Sequence, residues 1–204
     1  PLPVAPVNMP MRFAVQGTLE IAGRRIYTGR VEAGTLRAGQ DVTVMPDRLP
    51  NQVASIEAME GQRSASSAGE CVGLTLAQPL AASRGVILSD PTALPRISGS
   101  VSGRILWMAD LPLSRGETLH LCIATQEIAV RVDALTDCFD AAQPEAIRKE
   151  SETLACGEIG LVRLATTDRP AVYEPCSCEN TLGRLVLMRH GNVAGAGTIP
   201  AVGG

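Results

Sequence analysis

Six cysteines, two histidines, a spaced aspartate trio and a glycine pair are the residues whose types and spacings could do chemistry in this chain. A zinc site draws thiolate or imidazole ligands in closely spaced pairs, commonly two of them. The cysteines stand at 71, 122, 138, 156, 176 and 178 with no Cys-x-x-Cys pair, and His120 and His190 are the only imidazoles. Cys176 and Cys178 are therefore the one candidate ligand pair. The plainer reading is reduced cytosolic thiols, with Cys71 and Cys122 as small core residues inside apolar alternation. Asp133, Asp137 and Asp140 could gather a cation, but they read as a solvated strand end. Gly195-Ala196-Gly197 is not followed by a helix and so makes no dinucleotide turn. Ser64, Ser66 and Ser67 have no base beside them to activate a hydroxyl. His120 points away from its apolar neighbours Leu119 and Leu121, and His190 precedes Gly191 as a turn residue. A loop that cradles nucleotide phosphates for hydrolysis is Gly-rich and carries Lys and Ser/Thr, yet Lys149 is the only lysine and no Gly-Lys dipeptide occurs. The expectation is a chain with no catalytic, metal or cofactor-binding residues of its own.

Bulk properties narrow the class further. Of the 204 residues, 45% are apolar and only 2% aromatic, so packing rests on Val, Leu, Ile and Ala. That balance favours short β-strands over aromatic-rich binding faces. The net charge is −3, and nucleic-acid binders usually carry a basic surplus to displace counterions; no nucleic-acid partner is expected. No apolar run is long enough to span a bilayer, and Pro1–Pro6 lacks the basic and apolar regions of a signal peptide. We expect no membrane association and a cytoplasmic location. The missing initiator Met and the proline-rich start read as an interdomain linker within a longer protein.

The elements that would position any site are β-strands. Two alternating runs, Arg25–Val31 and Asp41–Met45, flank Gly34 and Gly39, where tight turns call for φ > 0. Further runs lie at Met11–Gln16, Gln52–Ala58, Cys71–Leu76 and Gly85–Leu88. Short strands at this spacing with Gly/Pro punctuation describe a closed antiparallel barrel. Ser89–Pro95 carries two prolines in five residues and reads as a linker. Beyond it, Ser98–Trp107, Thr118–Ala124, Glu127–Leu135, Gly160–Ala165, Gly183–Arg189 and Val193–Ile199 form a second set, and Pro144–Ser151 is the single helix candidate, with Glu145 and Lys149 at i,i+4. The expected fold is all-β: a linker at 1–10, a first barrel at 11–93 and a second at 94–204.

Two tandem barrels with this glycine pattern resemble domains two and three of the elongation factor Tu superfamily. Ser66–Leu74 and Ser83–Leu88 look like its Ala-Gly-Glu-x-Val-Gly and Arg-Gly-x-x-Leu strands. Within the superfamily, Arg12–Gln16, Glu60–Arg63, Leu106–Gly116 and Asn192–Ile199 resemble the large, GTPase subunit of bacterial sulfate adenylyltransferase. The Trp107-Met108-x-x-x-Pro112-Leu113 and Gly195-Ala196-Gly197 segments carry most of that likeness. The chain departs from the pattern in a shorter Leu187–Asn192 hairpin, a short Gln16–Arg25 loop and a missing basic residue near Leu121–Ile123.

The resemblance implies sulfate activation, in which ATP and sulfate give adenylyl sulfate and pyrophosphate at the expense of GTP. It implies GTP and Mg²⁺ in an N-terminal domain outside this chain, and adenylyl transfer in a separate small subunit. These barrels would then position the GTPase domain and dock the small subunit, and some relatives are fused to an adenylyl-sulfate kinase. Arg30 and Glu32 are candidates for the face toward the GTPase domain, or else an ordinary exposed strand pair. Trp107 and Met108 are candidates for anchoring the small subunit, although a strand Trp in an aromatic-poor barrel is more often core. Two alternatives stand beside this. One is a translation factor whose barrels bind tRNA; as the loops align, Glu57 matches a Glu there but Glu60 replaces an Arg, which disfavours a polyanion. The other is a stand-alone protein-interaction domain.

Overall fold

The computed structural model describes residues 6–81, 84–176 and 181–201. Ser83, Cys178 and the Pro1–Ala5 part of the expected linker lie outside the described residues. The chain divides into two compact units at Pro95/Arg96, with Thr181 grouped with the first.

The first unit contains β1 (Arg12–Ile21), β2 (Arg24–Ala33), β3 (Thr35–Arg37), β4 (Asp41–Met45), β5 (Leu49–Ala58), β6 (Gly61–Arg63), β7 (Ala65–Ser67), β8 (Cys71–Leu76) and β9 (Ile87–Ser89). Its main sheet runs β4-β9-β1-β2-β8-β5-β6 with a further β4–β5 pairing, and β3 pairs β7 separately. Gly34 (φ 71°) and Gly39 (φ 78°) take the left-handed backbone expected of them. A Cβ at Gly34 would lie 2.5 Å from the Met9 carbonyl oxygen, so the position also needs the missing side chain. The strands flanking these glycines do not pair with each other, however: β2 lies between β1 and β8, and β4 between β5 and β9. The glycines turn the chain through the short β3 instead of closing a hairpin. Phe13, Val15, Tyr27, Val31, Leu36, Val53, Ile56 and Leu74 form the buried core. Val53 and Ile56 both reach it despite their odd spacing, because the β5–β8 register shifts between Val53 and Ser55. A bulge flips the side-chain phase of everything beyond it.

The second unit is built from β10 (Arg96–Ser98), β11 (Ser100–Trp107), β12 (Leu113–Ser114), β13 (Thr118–Ile123), β14 (Gln126–Asp140), β15 (Gln143–Ser151), β16 (Thr153–Leu154), β17 (Glu158–Thr166), β18 (Ala171–Tyr173), β19 (Arg184–Arg189) and β20 (Asn192–Thr198). Six strands close a ring, β13-β19-β20-β11-β17-β14, through the β13–β14 pairing. This is a six-stranded antiparallel barrel, and the all-β reading holds throughout the described residues. β11 alternates without a break: Val101, Ile105 and Trp107 are fully buried while Ser100, Ser102 and Arg104 face outward. His190 (φ 51°) and Gly191 (φ 80°) make the tight turn that joins Arg189 to Asn192.

The expected helix at Pro144–Ser151 is absent. Gln143–Ser151 is a strand that pairs antiparallel with the far end of β14. Eight residues fall short of the roughly 12–15 that a helix needs without tertiary support, and nearly all of these side chains are exposed, leaving no apolar stripe to supply it. Cross-strand ion pairs replace the helical one: Lys149 reaches Asp137 at 2.9 Å and Arg148 reaches Glu158 at 2.7 Å. β15 is the sheet's edge, where Pro144 costs no inner ladder bond and the charges discourage edge-to-edge pairing.

The cysteine reading also needs correction. Cys71 is exposed and Cys122 half-buried, whereas Cys138 is the core thiol, with burial pushing its pKa up. Cys71 opens β8 opposite the exposed Arg30 on the outer face, so period-two alternation assigned it to the wrong side.

Candidate docking surfaces

The first unit's most distinctive surface begins with the phase of β1. Met11, Phe13 and Val15 are buried, but the register shifts between Val15 and Gly17. Leu19 and Ile21, which continue the same odd-numbered series, therefore emerge on the outside at 53% and 56% exposure. The β5–β6 turn adds Met59, which is fully solvent-exposed. Together with Ile26 and Val72 these residues line an open groove of about 440 Å³. An exposed apolar concavity of this kind is a candidate interaction site.

Glu57 also lines this groove. Its Oε1 accepts from the Ser55 hydroxyl at 2.8 Å, from Arg24 Nη2 at 2.8 Å and from Gln62 Nε2 at 3.2 Å. The Ser55 bond foremost, followed by Gln62 and Arg24, holds the carboxyl below its ordinary pKa. In the adjoining turn, Glu60 pairs with Arg63 at 2.9 Å. The groove thus combines an apolar floor with an ion-paired carboxylate, and no arginine or lysine among the described residues lines it, a poor match for a phosphate backbone.

Arg30 and Glu32 share one face of β2. Arg30 is exposed, set between Ala14 and Cys71 in the ladder. Glu32 is half-buried and accepts the Thr181 hydroxyl at 2.7 Å. Neither lines the apolar groove. Of the second-unit candidates, Trp107 is fully buried, while Met108 is 43% exposed and Leu111 73% exposed.

Trp107 sits inside a closed network. Its Nε1 donates to the Leu111 carbonyl at 3.0 Å, and the Arg189 guanidinium covers the ring at 4.7 Å from the centroid. Arg189 grips the Glu117 carboxylate through Nε at 2.7 Å and Nη2 at 2.8 Å. It also donates to the carbonyls of Leu111 at 2.7 Å and Pro112 at 3.0 Å. On the neighbouring strand Gly195 stands opposite Trp107, where a Cβ would come within 3.0 Å of the indole, and a Cβ at Gly197 would fall 2.0 Å from the Arg104 carbonyl oxygen. The Trp-Met-x-x-x-Pro-Leu and Gly-Ala-Gly segments are two halves of one packing solution. Arg189 was missed in the sequence because it lies far along the chain from the loop that it holds.

The remaining reactive side chains have ordinary partners. His120 is exposed, with Nδ1 3.1 Å from Glu127 Oε1. Asp133 accepts from Arg131, Asp137 from Lys149, and Asp140 from the Ala142 backbone N–H. Ser66 donates to Glu70. Among the described residues no three His, Cys, Asp or Glu side chains are grouped to hold a metal ion. No helix among them is long and apolar enough to cross a membrane.

Comparison with known proteins agrees with this architecture. Residues 100–200 match the family model described as GTP-eEF1A C-terminal domain-like. Two solved structures of sup35 superpose over nearly the whole chain. The one with GDP has a TM-score of 0.85 and 19% identity, covering 97% of this chain and 48% of sup35; the one with GMPPNP has 0.83 and 21%, covering 95% and 47%. The second unit is thus a β-barrel domain related to the barrels of translation-factor GTPases. The chain is also distantly homologous to sulfate adenylyltransferase subunit 1 of Citrobacter koseri, at 32% identity over 197 residues. That similarity covers 95% of this chain but only 40% of the relative's length.

Proposed function

We propose that this chain is the non-catalytic, C-terminal barrel pair of a GTP-dependent sulfate adenylyltransferase large subunit. The carrying observation is that the homology to subunit 1 runs through both units and not the second alone. In this reading the first unit, residues 11–93, is also a closed barrel; the β4–β5 pairing that joins the two ends of its six-strand run supports this. The second barrel occupies 94–204. A GTP- and Mg²⁺-binding domain precedes the pair, and the cytoplasmic complex converts ATP and sulfate to adenylyl sulfate and pyrophosphate with a small subunit.

The barrels' part is docking. The apolar groove around Leu19, Ile21 and Met59 meets a protein face, Arg30 and Glu32 flank the contact with the GTPase domain, and Met108 with Leu111 forms a second contact for the small subunit. In the full-length protein, Leu19→Asp combined with Met59→Asp places carboxylates where apolar surface is to be desolvated. The expected result is roughly a tenfold or greater loss in capture of the small subunit or in GTP-dependent adenylyl sulfate formation, with circular dichroism unchanged. Unaltered capture and synthesis in that variant would refute the groove's role. Failure of the wild-type full-length protein to bind a cognate small subunit would refute the sulfurylase reading itself.

A further inference from the structure

Apart from Arg169, whose guanidinium donates to the Glu127 carbonyl at 3.0 Å, the arginines of the second unit fall into two sets. Arg115, Arg131, Arg148 and Arg189 each hold a carboxylate. Arg96, Arg104, Arg163 and Arg184 are exposed, and their side chains make no hydrogen bond or ion pair among the described residues. The second set is gathered by strand register. Arg104 on β11 and Arg184 on β19 both pair with Thr198 of β20 between them, two strand spacings or about 10 Å apart. Arg163 pairs with Ser102, the next outward residue along β11 from Arg104, so it sits diagonally across from Arg104 at about 7–8 Å. Arg96 and Arg104 border a cavity of about 440 Å³ whose lining includes Ser100, Ser102 and Tyr173.

We propose that this outer face of the second unit docks an acidic segment of a protein partner, with Arg96, Arg104, Arg163 and Arg184 receiving its Asp and Glu carboxylates. Guanidinium groups suit carboxylates because the planar fork donates two parallel hydrogen bonds. The hydroxyls of Ser100, Ser102 and Thr198 lie between them as further donors. The charges are spread across β10, β11, β17 and β19 instead of converging on one point, which fits an extended chain better than a single small anion. Nucleic acid fits less well: Tyr173 is the only aromatic among the described residues lining the cavity, lysine is absent from the set, and the whole chain is acidic. The proposal holds whichever partner the first unit binds.

The test uses the 204-residue chain, two fluorescently labelled probes (a dodecamer of glutamate and a single-stranded oligonucleotide of equal length) and unlabelled inorganic pyrophosphate as competitor. The peptide is expected to bind saturably and to weaken as salt rises from about 50 to about 300 mM. Arg104→Glu with Arg163→Glu and Arg184→Glu should lower its affinity by roughly tenfold or more. The milder triple change to Gln should lower it less, and both are checked for fold by circular dichroism. Arg37→Glu with Arg48→Glu and Arg84→Glu, exposed positions of the first unit with the same change in net charge, should leave it within about twofold. Equal losses in the two charge-matched variants, tighter binding of the oligonucleotide, displacement by stoichiometric pyrophosphate, or no saturable peptide binding would each overturn the proposal.

Discussion

Tyr27 in the first unit and Trp107 in the second face the same problem, a large buried aromatic whose polar tip must be satisfied, and they meet it differently. Tyr27 is buried, and its hydroxyl accepts the Leu80 backbone N–H at 2.6 Å, which ties down the segment after β8. Trp107 is equally buried and donates to Leu111, but Arg189 then closes over the ring and binds both the loop carbonyls and Glu117. The buried tyrosine holds the Leu80 segment through a neutral hydrogen bond, with exposed Arg25 adding a bond to the Leu80 carbonyl at 2.8 Å. The Leu111 loop is held instead by a charged clamp with four acceptor contacts. A neutral bond adds about 1 kcal/mol net, whereas removing one partner from a part-buried ionic network strands the other charge at several times that cost. The second unit therefore carries more of its stability in a few named residues.

The strongest way to sharpen that contrast is to remove the ring. Trp107→Ala should cost about 3–5 kcal/mol of unfolding free energy by loss of transfer energy and cavity formation, read by denaturant titration with circular dichroism. A loss below about 1 kcal/mol would mean that the barrel collapses around the gap, and the asymmetry would go with it. Arg189→Met comes next: it keeps apolar cover over the indole but leaves Glu117 without its cation. We expect about 2–3 kcal/mol, with a change in emission from Trp107, the only tryptophan and so a reporter of this site alone. Tyr27→Phe should cost about 1 kcal/mol, the net worth of one hydrogen bond. If Tyr27→Phe and Arg189→Met proved equal, the clamp would be no stronger than the single bond and the comparison would fail.

The same contrast explains what could be read in the sequence. The strands of β11 and β13 were visible because their alternation is unbroken, and the two signature segments stood out because Trp107, Gly195 and Gly197 constrain one another sterically. Their conspicuousness is structural: of the two readings of Trp107, anchor and core, its full burial fits core. The apolar groove was hidden for the opposite reason. Leu19 and Ile21 continue the buried phase of β1 on paper, and only the register shift at Val15/Gly17 turns them outward. Arg104, Arg163 and Arg184 are scattered along the chain and become one surface only through the β11–β17 and β11–β20–β19 pairings. Pro144–Ser151 misled because its local charge spacing fits a helix while its backbone partners lie in β14.

The smallest expected effect compares carboxylates, one from each unit. Glu70 has its pKa lowered chiefly by the Ser67 backbone N–H, then by the Ser66 hydroxyl and Arg63. Burial raises the Glu158 pKa, but the Arg148 side chain and the Ala155 N–H outweigh it and leave it lowered. A carboxyl whose folded pKa is depressed adds stability that is present above its unfolded pKa, about 4.3 for Glu. That contribution is lost as pH falls through the lower, folded value. Stability should therefore decline on acidification below about pH 4–5, and Glu70→Gln and Glu158→Gln should each flatten the decline. Both changes should be only a few tenths of a kcal/mol, since solvent screens exposed Glu70 and the exposed Arg148 partner. Glu158, with its side chain only 13% exposed, should show the larger flattening. Each carboxylate has one arginine and one main-chain donor, so the reverse order, measured as unfolding free energy against pH, would mean that the deeper burial of Glu158 does not strengthen its pairs over those of exposed Glu70.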